Sequence, residues 1–177
     1  MGVGTQGLLR LGLYAGLSLF VAALLVNALS WFDLPLISVA IVLFVLIFPL
    51  WFGAILAYLR YLRPSVSHRS DIWKPVLEGI PDWQRTLALL LVAYVFINFF
   101  ASIAVLPGQP EQTSAGYVLM SHGDVVKRLS YSEYVHYLAI VARIFSGHTV
   151  VFTLAASGMF RAALRRFSPP SATRSAA

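Results

Sequence analysis

The chain contains no cysteine among its 177 residues. That absence excludes disulfide exchange, thiolate nucleophiles and cysteine-ligated metals, and with them the thiol-dependent four-helix oxidoreductases. Charge is almost as scarce. Only 11% of residues are charged, against about 25% in a soluble domain. No Asp or Glu falls inside the apolar runs, only at their borders, at Asp33 and Glu133. Proton-coupled transporters that depend on a membrane carboxylate, and CDP-alcohol transferases that need an aspartate cluster, are therefore disfavoured. The sequence also lacks a glycine-rich phosphate loop, HExxH and GxSxG. No residue set supplies nucleophile, base and charge stabiliser together, so no catalytic residue is assigned.

Long hydrophobic runs fill the space that charge leaves. They cover roughly 11–32, 34–59, 87–106 and 138–160. Each has the ~20 residues a helix needs to cross a hydrocarbon core ~30 Å thick. The expected fold is an all-α integral membrane protein, a four-helix bundle within residues 1–166. Residues 167–177, rich in Ser, Pro and Ala, read as a disordered cytoplasmic tail. Ala28-Leu29-Ser30 has the small residues of a signal-peptide cleavage site. The second run follows within a few residues, so the first is read as a retained anchor paired with it.

The net charge of +6 is distributed along the chain rather than in one patch, which argues against nucleic acid. Arg10, the loop residues Arg60, Arg63, Arg69, Lys74 and Arg85, and the tail residues Arg161, Arg165, Arg166 and Arg174 lie on one side. Lys127 and Arg128 alone lie on the other. The positive-inside rule then places both termini in the cytoplasm, as in a bacterial inner membrane, with the loop 107–137 outside.

Several local patterns stand out. Gly12 and Gly16 form a GxxxG pair, and Ser146-Gly147 is a second small-residue step; both are expected to admit close helix packing. Pro35 suits the first turn of the second helix, and Pro49 is expected to kink it. Residues 70–83 read as a short amphipathic helix capped by Ser70 or Asp71. It is expected to lie on the inner surface between Trp73 and Trp83. Outside, the stretch 116–130 reads as a β-hairpin turning at Ser121-His-Gly-Asp124, after a polar loop that opens at Pro107. Ser130-Tyr-Ser-Glu133 matches a capping box, starting a helix that continues into the fourth span past Tyr131, Tyr134 and Tyr137.

Three polar residues at membrane depth, Asn98, Arg143 and His148, are the candidate ligand or lipid contacts. Asn98 is expected to hydrogen-bond a neighbouring helix. A bis-histidine haem through His148 lacks a second histidine at depth, so no cofactor and no metal is expected. Ser146-Gly147-His148 and Arg63-Pro64 each match one element of the membrane phosphatidic-acid phosphatases. No His, Asp or Glu follows His148, however, and Leu56 stands where that family needs a lysine. No family is claimed.

An isolated hairpin is marginal in water and must lean on something. Tyr117, Leu119, His122, Gly123 and Val125 are accordingly the candidate partner contacts. The expected function is a non-catalytic accessory, assembly or scaffolding subunit of a larger membrane complex, touching lipids and other membrane subunits or a second copy. The alternatives are an oligomeric transporter or channel lined by Asn98, Arg143 and His148, and a lipid- or quinone-directed enzyme.

Overall fold

A computed structural model of the chain describes residues 3–68 and 71–167. Four of its helices are long and apolar enough to cross a membrane. Helix α1 runs Val3–Leu29 and tightens into a 3-10 turn at Ser30–Phe32. Helix α2 spans Ile37–Ala57, continuing through Pro49 and ending in a π turn, Tyr58–Leu62, and a 3-10 turn, Arg63–Ser65. The short α3 is Lys74–Leu77, and α4 is Asp82–Val105. Strands β1 (Gln109–Thr113), β2 (Gly116–Ser121) and β3 (Asp124–Leu129) precede α5, Tyr131–Arg165.

α5 is the axis of the molecule. Half of its most apolar stretch is buried, against 22%, 28% and 17% in α1, α2 and α4. The reason lies in its residue types. Its buried positions include Ala139, Ala142, Ser146, Gly147, Thr149, Thr153, Ala156, Ser157, Ala162 and Ala163. Small side chains let three helices approach one, which is how helices associate where water supplies no hydrophobic drive. Two of the threonine hydroxyls bond carbonyls of their own helix, whereas Ser157 Oγ has no hydrogen-bond partner among the described residues. Thr153 Oγ1 donates to Thr149 O at 2.7 Å, and Thr149 Oγ1 to Phe145 O at 3.0 Å.

The GxxxG pair of α1 meets this face. A Cβ on Gly12 would stand 2.6 Å from the Phe160 ring, and one on Gly16 would collide with Ser157 Oγ. Gly12 and Gly16 are thus spent on an internal contact, and their face is not open to a partner. Gly147 serves the half nearer the sheet in the same way, lying against Val95 of α4 and Asn27 of α1. Two apolar clusters result. One, toward the start of α1, gathers Leu9, Ala57, Leu62, Val76, Ala156 and Phe160, and the other, toward its end, Ala23, Val26, Leu43, Val95 and Val150.

Several expectations are corrected. The helices overrun the apolar stretches, because a helix continues wherever its backbone stays bonded, whatever its hydropathy. α2 starts at Ile37 rather than Pro35. The amphipathic helix of the inner loop shrinks to α3, with no side-chain cap; Ser70 lies outside the described residues. α3 does not lie free on a surface either. Pro75 and Val76 are buried, Val76 facing the notch at Gly158 of α5, and Arg165 Nη2 donates to Pro75 O at 2.9 Å. Phe167, read as the start of the tail, packs edge-on against Tyr61 at 5.2 Å; 168–177 lie outside the described residues.

The segment between α4 and α5 forms a three-stranded antiparallel sheet, in the order β1-β2-β3, and not a lone hairpin. The β2–β3 turn falls where the sequence placed it. His122 and Gly123 both take positive φ (53° and 93°), the geometry that matches strand twist in a two-residue hairpin. β1 is the surprise, since Gln109-Pro-Glu-Gln-Thr113 has no β-signature. It pairs as an edge strand, where Pro110 needs no donor. The sheet leans on the projecting start of α5. Leu119 is fully buried, and the Tyr117 ring stacks on Tyr134 at 4.6 Å. The capping box is formed: Ser130 Oγ accepts from Glu133 N–H, and Ser130 N–H donates to Glu133 Oε2 at 2.8 Å. At 35 residues α5 is about 52 Å long, well beyond the ~30 Å core, so its first turns are free to carry the sheet.

Because Gly16 and Ser157 are in contact, Gly16→Leu should destabilise the fold by about 1–3 kcal/mol through overpacking. Gly16→Ala combined with Ser157→Gly should recover most of the loss caused by Gly16→Ala alone. Reversible unfolding in mixed micelles measures both; additive losses in the double variant would refute the contact.

Candidate functional site

The described residues concentrate their buried polar atoms at the end of the bundle that carries the sheet. Arg143, on α5, is 8% exposed. Its Nη2 donates to the Ser30 carbonyl at 2.9 Å and its Nε to Ser30 Oγ at 3.3 Å. The guanidinium carbon lies 3.6 Å from the centre of the Trp31 ring. The local fold explains the arrangement. α1 ends at Leu29, where helix carbonyls lose their intrahelical donors and the helix dipole is negative. A cation placed there satisfies an orphan carbonyl and is favoured by the dipole, while the indole face adds a cation–π contact. Arg143 is compensated by a helix end and a ring. The nearby carboxylate, Asp33, is bound elsewhere, to His136 Nδ1 at 2.7 Å.

Asn27 is the second centre, and sequence reasoning missed it. It is 3% exposed and touches three elements. Its Nδ2 donates to Arg143 O at 3.0 Å and to Ser146 Oγ at 3.1 Å, both on α5. Its Oδ1 accepts from the Tyr94 hydroxyl of α4 at 2.7 Å. Tyr94 in turn accepts from Trp31 Nε1 at 2.9 Å, and Ser30 Oγ donates to Asn27 O at 2.6 Å. The chain Trp31–Tyr94–Asn27–Ser146, with Arg143 and Ser30 beside it, ties α1, α4 and α5 with satisfied groups. The overlooked signal was Asn27 itself, an amide in the first span with the same claim to a partner as Asn98.

The structure places the expected site residues differently from one another. Ser146 belongs to the Asn27 network. Asn98 is buried, but among the described residues its side chain makes no hydrogen bond to another helix, contrary to expectation. His148 is half-buried and faces α4, its ring edge-on to Phe99 at 4.8 Å. Its Nδ1 lies 2.8 Å from the Ile144 carbonyl. A carbonyl only accepts, so Nδ1 carries the proton and Nε2 of the neutral ring is the basic atom. Tyr117 and Leu119 of the expected partner surface are turned to the protein itself. Leu119, fully buried, cannot be a partner contact; His122, Gly123 and Val125 remain exposed.

Chemically, the cluster is a clamp. Its hydroxyls and amide are hydrogen-bonded in a closed circuit, and no hydroxyl in it is paired with a general base. Among the described residues no three of His, Asp and Glu come together as a metal site would require.

Asn27→Ala should cost about 1–3 kcal/mol, because it strands the Tyr94 hydroxyl and frees α4 from α1. Asn98→Leu, which loses no bond, should cost under about 1 kcal/mol. Unfolding of the two variants in the same micelles checks the difference; equal losses would contradict the network.

No protein-family model, curated protein or solved structure matches the chain.

Proposed function

We propose that this chain is a non-catalytic accessory, assembly or scaffolding subunit of a larger membrane complex. The observation that carries the reading is the free edge of β3. Among the described residues β3 pairs with β2 alone, and its Val125 and Val126 are 55% and 52% exposed. The register shift opposite Leu119 and Met120 leaves Val126 without a cross-strand partner, as at a bulge. An unpaired edge with apolar side chains is a ready template for another strand. The opposite edge, β1, is blunted by Pro110 and Glu111. β3 carries three exposed charged residues, Asp124, Lys127 and Arg128, and of these Lys127 is paired: its Nζ donates to Glu133 at 2.7 Å. That hydrogen bond, helped by the carboxylate charge, keeps the Lys127 ammonium above the usual lysine range. The sheet is also braced on α5, so its edge needs no ordering before it binds.

An oligomeric transporter lined by Asn98, Arg143 and His148 is less well supported. The Arg143 guanidinium is committed to Ser30 and Trp31, so a path would have to break the clamp. The enzyme reading, with His148 as base and Arg143 as anion holder, meets the same obstacle. The charge distribution supports a bacterial inner membrane with cytoplasmic termini, which puts β3 on the outer side.

The test replaces Val125 and Val126 with Lys in a tagged chain purified from its native membranes in mild detergent. The variant should insert as the wild type does and lose its co-purifying subunits, with a fall in particle mass. A variant particle with unchanged composition and mass would remove the support for the reading.

A further inference from the structure

A groove of about 390 Å³ opens between α1 and α2 at the end of the bundle where α5 finishes. Its walls are Leu8 and Ala15 on one side and Pro49, Gly53 and Leu56 on the other, and Phe160 forms its floor. The small residues make it: Gly53 would place a Cβ only 3.5 Å from the Phe160 ring, so any larger side chain there enters the open space. Nearly all of the lining is apolar except at one end, where Thr5, Arg60 and Tyr61 form the rim. Arg60 is exposed, in the π turn that ends α2, with its guanidinium 5.9 Å from the Tyr61 ring centre. Among the described residues no carboxylate pairs with it.

Size decides what enters. From Thr5 to Ala15 the groove follows α1 for about 15 Å, half of a ~30 Å hydrocarbon core, the depth of one leaflet. A single hydrocarbon chain entering from the rim can lie along that length. The rim then meets whatever the chain is attached to, and it offers a cation without a counter-ion. We propose that this groove binds one acyl chain of an anionic phospholipid, with Arg60 facing a headgroup phosphate that no headgroup cation neutralises.

Native mass spectrometry of the purified full chain with phosphatidylglycerol and with phosphatidylcholine of identical acyl chains tests the proposal. The wild type should retain phosphatidylglycerol about five-fold more strongly, the size expected of one arginine facing one anionic headgroup. Arg60→Gln, an exposed change that leaves the packing intact, should bring phosphatidylglycerol down to the phosphatidylcholine level. Ala15→Leu, also at an exposed position, should fill the groove and reduce retention of both lipids. Equal retention of the two lipids by the wild type would overturn the proposal. So would a preference that survives Arg60→Gln, or full phosphatidylglycerol retention by a folded Ala15→Leu protein.

Discussion

The structure depends on one constraint: the polar atoms clustered around Asn27 and Arg143 are satisfied by the protein itself. In hydrocarbon an unmet hydrogen-bonding group costs several kcal/mol. The chain meets this by turning the polar and small side of α5 inward and its apolar side out. Ser146, Thr149 and Thr153 are fully buried, while Leu, Val and Phe side chains of α1, α2 and α4 face outward. Once that side is set, the packing of α1 follows from the Gly12 and Gly16 approach to Phe160 and Ser157, and that of α4 from Tyr94 reaching Asn27. α3 is drawn in by Val76 and the Arg165 bond.

The Arg143 clamp resolves a buried charge without a carboxylate partner. An ion pair there would cost desolvation of two charges. A helix C-terminus offers partial negative charge that is already present and already desolvated, and Trp31 supplies an electron-rich face. This also leaves Asp33 free to bind His136, so the α1–α2 connection is fastened to α5 at two places: through Ser30 to Arg143, and through Asp33 to His136. Both fastenings lie at the end that carries the sheet. The start of α5, on which Leu119 and Tyr117 rest, is thereby held by the same elements that hold the bundle.

Hydropathy made the four spans legible, and residue chemistry made legible the capping box at Ser130, the hairpin turn at His122-Gly123 and the close packing at Gly12, Gly16 and Gly147. These are features set by local geometry or by a long run of like residues. What stayed hidden depends on distant neighbours. β1 has no strand propensity and exists because β2 offers an edge. Asn27 carries the network because Tyr94 and Ser146 happen to face it, whereas Asn98, chemically identical, faces no such pair. The inner helix reads as amphipathic because Trp73, Val76, Leu77 and Ile80 are spaced that way, yet only Val76 of these is buried, and it is buried against α5. Periodicity reports that a side chain has an apolar neighbour; it does not distinguish lipid from protein.

The clamp also bears on function. A transport path or an active site needs polar groups left unsatisfied by the protein, so that a substrate completes them. Here the Asn27 and Arg143 groups are completed internally, and His148 bonds its own helix through Nδ1. Inside the bundle Asn98 and Ser157 Oγ lack partners among the described residues; on the outside lie the edge of β3, which pairs with β2 alone among those residues, and Arg60, with no carboxylate partner among them, over an apolar groove. On the reading proposed above, α5, long enough to link both ends, would keep a subunit at the sheet and a lipid at the groove in fixed relation.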